Sequence, residues 1–395
     1  MEVSIMNKKL SLIIALAMSI GISSSALAAA PSVVAATTTT TTESTTTTVN
    51  TNASMNLTLE DALNNIEKSN TSIQLMDKKV LLLTKQYDRD HQSAIDASES
   101  LNSTNKNENA YISLKKQILI TQQKSAQAVD DSKHNRENTL KSLKANMERQ
   151  YMNVLNYQDQ IKNINSTIEN VDQQIEKVNA NIKLGMATTD ALQQLNVQRS
   201  TLVASLNTPK SKIEESILTV KQLLNIDLNT ELVLSPSKKE FVKYDDSTIA
   251  DIINKAVESS YDLAGINRNI EWAKVELDLN TKYGHNNTSG QVNAELSLQN
   301  LTNSFDNTKL TLQISAWTAY YNLKNKEDSI TAEQINLKNA KENYDNAVVK
   351  FQTGQVNQLD VDSKKLALDK EELAVQSLVN EYMVTIEEFI NLLTK

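Results

Sequence analysis

Glycine and proline are scarce in this sequence, six and three among 395 residues, where average usage would supply roughly 28 and 20. Turns draw on those two residues, so a globular domain of this length is excluded and a few long helices are implied. Cysteine is absent, which removes disulfides, thiolate metal sites, a cysteine nucleophile and a lipid-modified cysteine. Aromatic residues make up 4%, too few for a thick core, whereas a coiled-coil seam needs only one apolar stripe. Basic charge is in deficit, with a formal net charge of −8. Nucleic acid is therefore not an expected partner, because phosphate binding needs a concentrated basic face. The longest apolar run, Leu10 to Ile22, has 13 residues, short of the roughly 20 that span a bilayer as a helix.

That run follows Lys8 and Lys9 and precedes Ser23-Ser24-Ser25-Ala26-Leu27-Ala28, the three-part plan of a secretory signal peptide. The expectation is a signal over residues 1–28, cleaved after Ala28, and export without a transmembrane helix or a lipid anchor. Residues 29–56 include Thr37 to Thr42 and Thr45 to Thr48. Without apolar periodicity they are expected to be a disordered linker, or a glycosylated or wall-spanning stalk.

From Leu57 the chain repeats itself. Leu59-Glu60-Asp61-Ala62-Leu63 with Ser69 and Ile73 matches Ile249-Ala250-Asp251-Ile252-Ile253 with Ser259 and Leu263, at an offset of 190. Thr58 and Thr248 stand in N-capping positions before them. Further on, Tyr151-Met152-Asn153-Val154 with Ile161 matches Tyr320-Tyr321-Asn322-Leu323 with Ile330, and Gly185 matches Gly354, at an offset of 169. The second copy is thus 21 residues, or three heptads, shorter between its opening helix and its middle. The reading is an all-α chain of two tandem helical coiled-coil hairpins, over 57–228 and 247–395, joined by a linker over 229–246.

Val154, Tyr157, Ile161, Ile164, Ile168, Val171, Ile175, Val178 and Ile182 follow a 3,4 spacing without a miss, a heptad seam on a descending arm expected from Thr121 to Leu184. The second copy keeps the phase through Leu323, Ile330, Leu337, Ala340, Tyr344, Ala347 and Phe351, with Lys326 and Glu333 interrupting. Each seam ends at a glycine, Gly185 or Gly354, at the place where a helix needs a left-handed residue to stop. A new helix begins within a few residues, so these are hairpin tips. Return arms are expected from about Thr189 to Ile226 and from about Leu359 to Leu393. Pro209 should split the first into two stacked helices, with Thr208 as cap and Pro209 at the first helical position. At the far ends the sequence loosens at Ser100 to Asn109 and at Lys282 to Ser304. There Val292-Ala294-Leu296-Leu298 and Leu310-Leu312-Ile314 alternate like short strands, yet also fit helix or loop. Neither run suffices for the 9 to 11 residue strands of a membrane barrel, so little or no β-barrel is expected.

Leu57-Thr58-Leu59-Glu60-Asp61-Ala62-Leu63 with Ser69-Asn70, the Tyr151 and Tyr320 motifs, and the tips Lys183-Leu184-Gly185-Met186-Ala187-Thr188-Thr189-Asp190 and Phe351-Gln352-Thr353-Gly354-Gln355-Val356-Asn357-Gln358-Leu359-Asp360 resemble the outer-membrane efflux (TolC-like) family over nearly all of Leu57 to Leu393. The resemblance implies a homotrimer whose arms form a tunnel, an adaptor protein docked at the tips, a membrane pump behind it, and an efflux or secretion role in the cell envelope. It places adaptor docking at Gly185, Met186, Ala187, Gly354, Gln355 and Val356. The sequence departs from the family in its short, polar inter-arm segments and in Asp190, five residues after Gly185 where Asp360 lies six after Gly354. Abundant Lys and Asn suggest a Gram-positive source, where there is no outer membrane. The competing reading is a barrel-less envelope or secreted coiled coil used as a spacer or in adhesion.

Asp190 and Asp360 either ring a tunnel mouth and concentrate cations or complement the positive end of the helix after each turn. His91, His134 and His285 lack ligand spacing and read as solvated surface residues. Carboxylates interleaved with Lys read as solvated helix faces. No phosphate loop or nucleophile elbow is present, so neither an enzyme nor a cofactor is expected. Trp272 and Trp317 are expected to pack between arms.

Overall fold

The computed structural model describes residues 54–102, 107–285 and 288–394. The expected signal peptide and all but the last three residues of the Thr-rich segment lie outside the described residues. The chain opens with strand β1 (Met55–Leu57) and helices α1 (Leu59–Ser69) and α2 (Thr71–Asn102). It then runs from α3 (Glu108–Lys116) through one π-turn (Gln117–Thr121) into α4 (Gln122–Lys183). Helices α5 (Thr189–Ser205) and α6 (Asn207–Leu224) return, and β2 (Leu232–Leu234) lies in the connection to the second copy. That copy consists of α7 (Ile249–Glu258), α8 (Tyr261–Tyr283), α9 (Thr288–Gln352) and α10 (Gln358–Leu393). At about 1.5 Å per residue α4 and α9 are each close to 95 Å long.

Each copy opens with a short amphipathic helix that a polar cap separates from the next. Asn70 ends α1 and caps α2, its Oδ1 accepting from the Ser72 and Ile73 amides while its Nδ2 donates to the Leu223 carbonyl. At the matching position Ser260 accepts from the Leu263 amide and starts α8. Thr58 caps α1 through the Asp61 amide, but Thr248 makes no side-chain cap.

The longest helices lie against shorter neighbours placed end to end. Toward the tips the arms pack in the order α5/α6, α4, α10, α9; toward the other end the order is α2, α4, α8, α9. At mid-height both copies are tied to the connecting segment. Tyr151 is fully buried, its hydroxyl within hydrogen-bond reach of the Leu57 and Ser235 carbonyls at 2.9 and 2.7 Å. Around it Leu57, Ala62, Ile66, Met147, Val154 and Leu224 form a core. In the second copy Leu323, Ile330, Val379, Tyr382 and Phe389 do the same, and the Tyr320 hydroxyl donates to Asp246. All nine seam positions from Val154 to Ile182 are buried or half-buried. The polar interruptions of the second seam find partners on α10, Lys326 with Glu381 and Glu333 with Glu371.

Three expectations are corrected. The connection at 229–246 is not plain linker, because Leu232, Val233 and Leu234 pair in parallel with Met55, Asn56 and Leu57, taking the end of the Thr-rich segment into a ladder. The return arm is divided into two helices as expected, but the break lies at Leu206 and not at a Thr208 cap. Leu206 keeps helical torsions of −65° and −22°, and Pro209 sits in the first turn of α6, where its missing N–H removes little. For the runs Val292 to Leu298 and Leu310 to Ile314, which fitted strand, helix or loop, the helical reading holds, since both are turns of the 65-residue α9. His134 is half-buried rather than solvated, its ring stacked on Tyr261 of α8 at 3.8 Å.

Leu323→Ala should lower unfolding free energy by roughly 2–5 kcal/mol, since it leaves a cavity in a filled core. Leu310→Ala, at an exposed position on the same helix, should change the isolated protomer's stability by less than about 0.5 kcal/mol. Urea titration of both variants at low protein concentration checks the contrast.

Candidate functional site

Two regions carry the sequence-derived candidates or stand out structurally: the tips, and the seam where one repeat meets the other. Both tips are the same turn. Gly185 and Gly354 each have φ of +74°. The Gly185 amide bonds the Ile182 carbonyl at 3.0 Å and the Met186 amide bonds the Asn181 carbonyl at 2.8 Å. Gly354 to Phe351 and Gln355 to Lys350, both 2.9 Å, repeat the pattern. This paired closure satisfies the last carbonyls of a helix and requires a left-handed residue, hence glycine. No atom lies within 4 Å of where a Cβ would stand at either glycine. The glycines therefore serve backbone torsion, and the surfaces beside them are open.

The tips differ in what they expose. Met186 is 75% exposed, next to an exposed Leu184, while Ala187 and Val356 are half-buried and Gln355 is exposed. The helix after each turn starts four residues past the glycine, so the one-residue offset between the two aspartates decides their roles. Asp360 is the third residue of α10 and closes a capping box: Asn357 Oδ1 accepts from the Asp360 amide and Asp360 Oδ2 accepts from the Asn357 amide. Asp190 is the second residue of α5, exposed, and Thr188 gives no side-chain cap. The two carboxylates are thus not equivalent, and Asp360 is held by its own helix.

Where the repeats meet, polar contacts recur along the length of the seam. Lys116 pairs with Glu276 at 2.5 Å, Trp272 Nε1 donates to Gln123 at 2.8 Å, and the Tyr261 hydroxyl donates to Asp131 at 2.8 Å. Below them Arg149 bonds both oxygens of Glu388 at 2.8 Å, and Asn156 pairs with Asn380 at 2.9 Å. Open grooves of 330–530 Å³ run along this seam, the largest lined by Asp159, Lys162, Leu337, Leu366, Asp369 and Glu372. Trp272 is buried in the seam, and Trp317 contacts Tyr320 and Tyr321 on its own helix and the core under α7. His91 and His285 are exposed, and the described residues hold no group of three potential metal ligands.

Across the row of arms, exposed large apolar side chains gather on the two outer edges. On α9 they include Val292, Leu296, Leu310, Ile314, Tyr321 and Ile335; on the opposite edge, Leu75, Leu82 and Ile95 of α2 with Val197, Val203 and Leu218 of α5 and α6. Among the described residues the inner arms show almost none: α4 has no such residue, α8 only Tyr283 and α10 only Ile390. Heights can be compared through the side-chain pairs. Arg136 of α4 pairs with Asp77 of α2, Asp131 with Tyr261 of α8, and Leu263 shares a cluster with Ala316 and Leu312 of α9. Leu82 and Ile314 therefore stand at one level on opposite edges.

No protein-family model matches the chain, and no curated protein matches it by sequence. Solved structures do match it. A membrane protein from Pseudomonas aeruginosa superimposes with a TM-score of 0.64 at 11% identity, covering 85% of this chain and 93% of its own. The CmeC outer membrane channel of Campylobacter jejuni gives 0.59 at 15% identity over 85% of each chain. The outer membrane protein VceC of Vibrio cholerae gives 0.60 at 10% identity over 85% of this chain and 96% of its own. The chain has the TolC-like protomer fold. The TolC-like fold accounts for the tandem hairpins, yet among the described residues the only strands are the two three-residue ones at mid-height. Five residues separate α2 from α3 and four separate α8 from α9, too few for a pair of membrane-crossing strands at either far end.

Asp360→Ala should cost about 1 kcal/mol through the lost capping box, while Asp190→Ala should be close to neutral. Thermal melts of the two variants, differing by a few degrees, check this; equal melting points would show that the Asp360 box contributes nothing.

Proposed function

We propose that the chain is the protomer of a homotrimeric envelope conduit for efflux or secretion, working with an adaptor at its tips and a membrane pump, and that its far end carries no membrane barrel of its own. The observation that carries this reading is the pair of apolar edges flanking polar inner arms. An edge that is apolar along its length needs cover. Because the two edges differ, covering each with the other makes a head-to-tail contact, which closes into a ring when the rotation permits. A ring of such layers surrounds a channel. The solved channels of like fold support the same conclusion, and the short far-end connections support its barrel-less form in an envelope where the arms rather than strands bridge the gap. The spacer reading is favoured by nothing on the edges, since a spacer has no need of two matched apolar flanks.

At the tip the reading uses Met186, with Leu184, as the exposed apolar apex that an adaptor's helical hairpin would cover. Gly185, Ala187, Gly354, Gln355 and Val356 form the turn surfaces beside it. The unsatisfied Asp190 remains a candidate for the tunnel mouth; Asp360 is the weaker one.

Two measurements test the proposal. The chain has no cysteine, so a Leu82→Cys, Ile314→Cys double variant reports on edge contact alone. Within one protomer the two positions are separated by α4 and α8, so oxidation should give a covalent ladder ending at three copies; only monomer after oxidation would overturn the ring. For the tip, Met186→Asp changes no helix-closing torsion. Affinity capture from the native envelope should retrieve an adaptor and a pump with wild type and lose about 90% or more of both with the variant, as expected when a central apolar contact acquires a buried charge. Equal retrieval would remove the tips from the docking step.

A further inference from the structure

The connecting segment crosses the seam between repeats at one buried charged cluster, and its charge count does not balance. Glu148 of α4 is 4% exposed. The Lys239 ammonium of the connecting segment contacts Glu148 and reaches Glu387 of α10 at 2.9 Å, which brings the two carboxyl groups together around one ammonium. The Lys239 backbone is fixed as well: Gln376 Nε2 donates to its carbonyl at 3.0 Å, and its amide donates to Asn380 Oδ1. Two carboxylates against one ammonium leave one negative charge in excess.

The surroundings offer no second cation. On α4 the adjacent Arg149 is taken by Glu388 of α10. Lys221 of α6 donates to the Leu228 carbonyl at 2.8 Å. Lys238 and Glu240, beside Lys239, are exposed. Leu57 of β1, Leu234 of β2, and Ala62 and Ile66 of α1 supply the adjoining apolar core. The matching cluster in the second repeat is balanced instead. There Glu327 and Asp246 meet Lys243 and Lys324, and although burial disfavours its charge, the two lysines hold Glu327 below the ordinary carboxylate range.

We infer that the buried Glu148 keeps its proton in contact with Glu387 and that this proton latches α4 of the first repeat to α10 of the second. When the proton leaves, Glu148 keeps Lys239 as a neutral pair, and Glu387, half-exposed, is the group free to swing into solvent. The direct Glu148–Glu387 contact between α4 and α10 is then lost, while Lys239, held to α10 by Gln376 and Asn380, and the Arg149–Glu388 and Asn156–Asn380 contacts remain. Burial is the main cause that pushes Glu148 up to about 7, with Glu387 adding to it and Lys239 opposing, so the change falls near neutral pH. The latch follows from the fold alone and stands or falls independently of the conduit.

A carboxyl group that binds its proton more tightly folded than unfolded stabilises the fold most at low pH. Its contribution is therefore lost as pH rises from about 4.5 through about 7. The raised Lys239 ammonium acts only above its ordinary 10.5, outside that window. The experiment compares the urea midpoints of wild type and Glu387→Gln at half-unit steps from pH 5 to 8. It adds the carboxyl carbon resonance of Glu148, identified by its loss in Glu148→Gln. The expected result is a midpoint that falls with pH in wild type, with the fall reduced by about half or more in Glu387→Gln. The Glu148 resonance should titrate near neutrality in wild type and at lower pH in the variant. An equal loss of stability at every pH in Glu387→Gln, or a Glu148 resonance that titrates in the ordinary glutamate range in wild type, would overturn the latch.

Discussion

A helix of more than sixty residues cannot rely on propensity to stay formed and straight in water; it needs a partner along its whole length. In this chain α4 and α9 are such helices, and no single neighbour matches either. Each is covered by shorter helices set end to end, α2 above α5 and α6 on one side, α8 above α10 on the other. The joints between those shorter helices all fall near mid-height, where the covering is weakest. The tyrosine hydroxyls, the parallel two-strand ladder and the charged connecting segment gather at that level. What looks from the sequence like a linker is the clamp that closes the gap left by pairing two long rods with five shorter ones.

The same arrangement separates two kinds of contact. Within each repeat, helices meet through apolar clusters, Leu57 to Leu234 in the first and Leu323 to Phe389 in the second. Between repeats they meet through amides, ion pairs and open grooves. Apolar packing fixes each hairpin, because slipping it would expose buried area at about 25 cal/mol per Å². A polar seam constrains less, since each hydrogen bond exchanged for water costs only about 1 kcal/mol. The hairpins are thus the firm units and the seam between them the adjustable one, and a single proton at its centre has leverage that it would not have inside either hairpin.

How much of this could be read from the residues depends on distance along the chain. The tips were legible because a glycine at the end of a heptad seam has one cheap use, and both glycines adopt the left-handed torsion. Of the caps expected at Thr58 and Thr248, the first forms and the second does not. Short runs were the least decisive: the alternations at Val292 and Leu310 fitted strand or helix and are turns of α9, and the break in the first return arm falls at Leu206, three residues before Pro209. The ladder between Met55–Leu57 and Leu232–Leu234 joins segments 177 residues apart in register, and nothing local announces such a partner. The same holds for Glu148, Lys239 and Glu387. Each reads alone as a solvated surface charge, and only the fold shows that two share one burial site.

The two repeats share an ancestor's plan yet have diverged where duplication alone would have kept them equal. The first keeps an unbroken apolar seam toward its tip and exposes Met186; the second interrupts its seam with Lys326 and Glu333, both answered by α10, and closes its tip with the Asn357–Asp360 box. A balanced charge cluster ties the second repeat to the connecting segment, and an unbalanced one ties the first. If the repeats merely stacked as a rod, equivalent faces would suffice and such asymmetry would have no physical use. When edges that differ cover one another the contact is head to tail, and that geometry keeps every copy in the same orientation. The divergence between repeats is therefore what makes a directional ring, with one tip apolar and one capped, attainable from a chain built of one motif used twice.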